Sequence, residues 1–146
     1  MKLSRDQNIT RYAAYKKQLR DENDQPVGVL PQAFTMRPID KGKLSVNWVE
    51  YHDGEYEDQL KSVVADFRTK RDTRPSGIFV IANVGVLMDE CGELKANRVK
   101  VIGPDGKKKG LNPSHASIND LPENDAEIMQ CLAAKVFVSF IKASEY

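Results

Sequence analysis

The sequence has only two cysteines and two histidines, so the two side chains most used for metal ligation and nucleophilic catalysis are nearly missing. Cys91 and Cys131 lie far apart in unlike surroundings, as in a reduced cytosolic protein and not a disulfide scaffold. A structural zinc site needs about four ligands, and Cys91, Cys131, His52 and His115 include no closely spaced pair. No metal site is expected. Net charge is also small: 22 Lys and Arg oppose 21 Asp and Glu, a formal +1. No overall field draws the chain to nucleic acid or an anionic membrane, and any such role needs a local patch. No apolar stretch reaches the roughly 18 to 20 residues of a membrane span, and the N-terminus carries no signal-length apolar core. A cytoplasmic protein with no membrane partner is expected.

Common catalytic and cofactor signatures are missing as well. There is no Gly-x-x-x-x-Gly-Lys-Ser/Thr phosphate loop, Gly-x-Gly-x-x-Gly dinucleotide turn, His-Glu-x-x-His zinc helix or Gly-x-Ser-x-Gly nucleophile elbow. No cofactor is expected. Cys91 stands next to Glu90 and near Glu93, carboxylates that raise a thiol's pKa, so a reactive thiolate is disfavoured there. Cys131 sits in an apolar run and reads as core.

What remains is material for one ordinary core: 146 residues, 40% hydrophobic and 29% charged, without low-complexity tracts. Ile9, Tyr12, Ala13 and Leu19 approach helical spacing and predict a short amphipathic helix over 6–20. After the turn-rich segment 21–26, residues 27–33 read as an irregular extended edge interrupted by Pro26 and Pro31. Leu44, Val46 and Trp48 alternate with Ser45, Asn47 and Val49, predicting a strand over 43–51. Tyr56, Leu60, Val63, Val64 and Phe67 form one stripe of a helix over 55–68. The unbroken apolar run 78–82 reads as a strand buried on both faces, at the sheet centre.

Residues 84–90 fit either helix or strand. Residues 98–102 alternate as a strand before the turn Gly-Pro-Asp-Gly, and 111–118 read as loop or short extended segment. A last helix is predicted from Pro122 and Asn124 to about Lys142 on the spacing of Ile128, Leu132, Val136 and Phe140, although the β-branched residues of 136–141 also suit a strand. The prediction is a single α+β domain spanning 1–146, with a mixed or antiparallel sheet of about four to five strands packed by two or three helices.

One stretch gathers unusual polar residues. Asn112, Ser114, His115 and Ser117 follow directly on Lys107, Lys108 and Lys109. In a functional reading the lysines attract a phosphate, Asn112, Ser114 and Ser117 supply neutral hydrogen bonds, and His115 is a candidate general acid or base. In a structural reading the lysines are a solvated hairpin tip, Asn112 and Ser114 make local turn bonds, and His115 packs against the sheet. Ser45, Asn47, Trp48, Tyr51 and His52 form a second cluster. With Trp48 facing the core, Ser45, Asn47 and Val49 share the opposite face: if it is open, Asn47 is a surface residue, and if it lines a cleft, Asn47 faces the His115 loop across it.

The segments Leu44-Ser-Val-Asn-Trp-Val-Glu-Tyr51, Ile78 to Gly85 with its Ala-Asn-Val-Gly, and Asn112-Pro-Ser-His-Ala-Ser-Ile118 followed by Leu121-Pro122 together resemble a loose group of small bacterial proteins. The resemblance covers about two thirds of the chain and implies a bacterial or phage setting, with no assigned activity, cofactor or catalytic residue. Two functions stay open. One is a non-enzymatic binding or regulatory module acting through a protein partner or self-association. The other is an enzyme or sensor for a nucleotide or phosphorylated ligand, using His115, Ser117, Asn47 and the lysines.

Overall fold

Residues 78–83 carry no charge and alternate Ile, Val and Ala against Phe, Ile and Asn, so neither face can be left in water. In the computed structural model, which describes residues 1–104 and 112–146, they form β5 (Ile78–Asn83) and every residue but Asn83 is buried. The chain pairs β5 with β1 (Asn8–Ala13) on one side and β8 (Ser139–Lys142) on the other. β4 (Leu44–Trp48), β6 (Lys100–Ile102) and β7 (His115–Asn119) complete an antiparallel sheet in the order β6-β7-β4-β1-β5-β8. β2 (Gln18–Arg20) and β3 (Pro26–Val29) form a separate hairpin. Three α-helices lie among the described residues: α1 (Tyr56–Arg68), α2 (Val84–Glu93) and α3 (Ala126–Cys131). The α+β class and antiparallel sheet agree with the expectation, with six strands in place of four to five.

The additional strands come from two segments predicted as helices. Residues 6–20 form β1, a 3-10 turn and β2. β1 pairs along its whole length with β5 and is packed on both faces, Ile9 and Ala13 on one and Thr10 and Tyr12 on the other. A strand with apolar groups on both faces mimics helical spacing. At the C-terminus, the side chain of Asp125 accepts from the Ile128 amide and caps α3, the helix widens into a π turn at Leu132–Val136, and the chain then enters β8. Pairing with β5 decides for strand where the sequence allowed both. Asn124, expected at the helix start, instead brackets Met36: its Oδ1 accepts from the Met36 amide and its Nδ2 donates to the Met36 carbonyl. Residues 84–90 are helix, with Asn83 as the cap accepting from the Val86 amide.

One face of the sheet holds the main core, where Ile9, Val46, Ile78, Val80, Ala116 and Ile118 pack on Leu87, Ile128, Leu132 and Phe137. On the other face α1 covers only the half made by β1, β5 and β8, through Leu60 with Val49 and Ile81, and through Val64 and Phe67 with Phe79. The β4-β7-β6 half of that face has no helix over it. Its exposed and half-buried residues are Ser45, His115, Ser117, Asn119 and Lys100, polar by the period of two, with Ile102 of β6 the apolar exception. β1 and β4 pair only at Ile9 with Trp48 and Thr10 with Asn47, then part. Arg11 spans the gap, with Nη1 donating to the Ser45 carbonyl at 2.7 Å and Nε to the Ala33 carbonyl at 3.0 Å. Burial lowers its guanidinium to about 10, opposed by the charge of Asp40, so it stays a cation at neutral pH.

Candidate functional site

The uncovered half-sheet is the floor of a concavity of about 1750 Å³. Ser45, Asn47, His115, Ser117 and Asn119 line the floor, the end of α1 with Phe67, Lys70 and Arg71 forms one wall, and Thr35, Arg37, Asp40 and Lys43 border the gap between β1 and β4. The β4–β7 register sets Asn47 opposite His115 and Ser45 opposite Ser117. The two polar clusters singled out in the sequence therefore share one surface.

They do not all face the opening. Asn47 is 5% exposed and its Nδ2 donates to Asn112 Oδ1 at 2.6 Å and Ser114 Oγ at 2.8 Å. Ser114 is fully buried and donates from Oγ to Asp66 Oδ2 at 2.5 Å, while the Ser114 carbonyl accepts from the Trp48 amide. His52 Nε2 lies 2.7 Å from the same Asp66 oxygen. Asn112, Ser114 and Asn47 thus form a buried chain of hydrogen bonds that ties the turn before β7 to β4 and α1. Ser45, His115 and Ser117 remain on the open floor, with Ser117 Oγ donating to Asn119 Oδ1 at 2.7 Å. Lys107, Lys108 and Lys109 lie outside the described residues.

Asp66 is the member that sequence reasoning missed altogether, and His52, though counted in the Ser45 to His52 cluster, was not assigned a part in the site. The available signal was an acid three residues after Val63, beside the apolar stripe of α1 and on the flank of Gln59, whose Nε2 donates to the His52 carbonyl. Serine, histidine and aspartate together evoke a hydrolytic triad, yet here the carboxylate stands in the middle and the serine is sealed from solvent. In the catalytic arrangement the imidazole lies between the other two and the hydroxyl is open to substrate. The arrangement is a structural tie.

The electrostatics of the rim differ from those of the whole chain. Lys43, Lys70 and Arg71 are exposed, and no ion pair engages any of them among the described residues. Arg37 is paired with Asp40 at 3.1 Å, and that contact holds the Asp40 carboxyl below the usual carboxylate range. No group of three or more His, Cys, Asp or Glu among the described residues is placed to hold a metal ion. No helix among them is long and apolar enough to cross a membrane.

The cysteines lie on the other side of the sheet, in and around the main core. The Cys91 thiol is pushed up to about 12, by burial first and then by Cys131 and Glu90; Glu93, expected from the sequence to contribute, is not among the causes. Burial also raises the Cys131 thiol. Neither thiol is expected to react with a disulfide reagent at pH 8 while the protein is folded, and both should react in denaturant. Fast labelling of native protein would contradict the packing of α2 against α3.

Compared with family profiles, curated proteins and solved structures, the chain gives no match in any of the three.

Proposed function

We propose that the chain is a non-catalytic binding protein that takes a phosphate-bearing ligand on the open half of its sheet. The observation that carries this reading is the concave floor, with Ser45, Ser117 and Asn119 on it, bordered by Lys43, Lys70 and Arg71, cations without ion-pair partners among the described residues. Cations gathered around a concave surface concentrate field there, even in a molecule of near-zero net charge. Ser45 and Ser117, which line the floor, support the reading as hydrogen-bonding groups. The phosphate can belong to a free nucleotide or to a larger partner, since the concavity is open to solvent.

A thermal-shift panel of pyrophosphate, ATP and GTP tests this. Ligand at about a hundred times its dissociation constant stabilises the native state by about 2.7 kcal/mol, which raises the melting temperature by several degrees at this chain length. The double substitution Lys70→Glu with Arg71→Glu is expected to lower the unliganded melting temperature by only a few degrees, because both side chains are surface groups whose charge favours the carbonyl end of α1. It should weaken binding about tenfold or more, one charge-assisted hydrogen bond being worth about 1.5–3 kcal/mol. Shifts of equal size in native and doubly substituted protein would remove the site from this surface.

A further inference from the structure

We infer that the phosphate-bearing ligand of the open half-sheet is a single strand of nucleic acid; this rests on the reading that the face takes phosphate. Size is the first argument. The concavity, at about 1750 Å³, exceeds the roughly 300–1,000 Å³ of a typical small-molecule site. It also runs across β6, β7, β4 and β1, about 14 Å at the spacing of neighbouring strands. A mononucleotide would leave most of that floor wet.

The second argument is the distribution of charge. Lys43 precedes β4, whereas Lys70 and Arg71 follow α1, so the lining draws its cations from two elements. One lysine and one lysine-arginine pair brought from two elements suit successive phosphates of a backbone, while a single phosphorylated side chain calls for a cluster of arginines closing on one group. Third, the floor supplies groups that meet bases. Ser45, Ser117 and Asn119 offer donors and acceptors to exposed base edges, and Tyr51, 42% exposed on the lining and in edge-to-face contact with Trp48 and His52, offers the exposed part of its ring for stacking. Bases in a duplex are already stacked and paired, so these groups select a single strand.

Fluorescence anisotropy with labelled 12-residue single strands of DNA and RNA tests the inference, alongside the same DNA as a duplex, a phosphoserine peptide and ATP. Single strands are expected to bind at least tenfold more tightly than any of the three comparators. Three phosphate contacts predict an affinity loss of about 20-fold between 50 and 200 mM salt. Tyr51→Ala should weaken the strand about tenfold while leaving the salt dependence unchanged, as loss of one stacked base would. If Tyr51→Ala lowers the melting temperature, Lys43→Glu takes its place, and it should both weaken binding and flatten the salt dependence. Oligonucleotides binding no better than ATP, with ATP still sensitive to Lys70→Glu, would overturn the strand and leave the phosphate site standing. Tighter binding of the duplex or the phosphopeptide would overturn it likewise. No binding by any of the five would remove both.

Discussion

Replacing Phe79 by alanine is expected to destabilise the protein by about 3–5 kcal/mol and lower its melting temperature by about 10 °C or more. Phe79 is 1% exposed and meets Tyr12 and Phe67 edge to face, with ring centroids 5.3 and 5.4 Å away, while Tyr12 and Phe67 themselves stack at 5.2 Å. The three rings fasten α1 to β1 and β5. Alanine there leaves a cavity bounded by a helix that cannot collapse far, because Leu60 and Asp66 hold it elsewhere. Phe79→Leu keeps most of the volume and should cost about 1.5 kcal/mol or less. Urea unfolding separates the cases, the midpoint moving with little change in slope. Tyr12 and Phe67 also line the concavity, so the alanine variant should bind ligand more weakly as well. A cost below about 1 kcal/mol would mean that α1 does not dock on this face.

Where one physical signal dominated, the fold was legible in the letters. β4 follows from clean alternation, α1 from a single apolar stripe, and β5 from an uncharged run too short for a helix. β1 was hidden, and β8 legible only as an alternative to helix, because their identity depends on neighbours. Each pairs with β5, and only that long-range pairing turns Ile9 or Phe140 from a plausible helix position into a strand position. The site was half legible for a related reason. Asn47 and His115 stood out by residue type, and the alternation of β4 gave the face of Asn47, but that the two are direct cross-strand partners is a matter of register. Lys70 and Arg71 gave no signal at all, since basic residues just after a helix are commonplace as partners of its negative end. Their significance comes from the bare half-sheet beside them.

Asp66→Ala is the substitution expected to act most strongly on the polar side of the structure, with a cost of about 2–4 kcal/mol. Asp66 is 8% exposed and its carboxylate serves two partners through one oxygen, the Ser114 hydroxyl and His52 Nε2. Ser114 has no exposure, so removing its acceptor leaves a hydroxyl that water cannot reach, and the charge-assisted bond lost is among the stronger neutral-to-ionic kinds. Ser114→Ala should cost less, about 1–2 kcal/mol, because Asp66 keeps His52. The two changes should be strongly non-additive, the double variant falling short of the sum by about 0.5–3 kcal/mol. The same tie fixes the turn that leads into β7: the Ser114 carbonyl accepts from the Trp48 amide and Asn112 is bound to Asn47. Asp66→Ala is therefore expected to speed hydrogen exchange at the Trp48 amide well before global unfolding, and to weaken ligand binding without touching a residue of the open floor. Unchanged exchange at Trp48 in a variant that has lost stability would show that α1 and the turn are held together by packing alone.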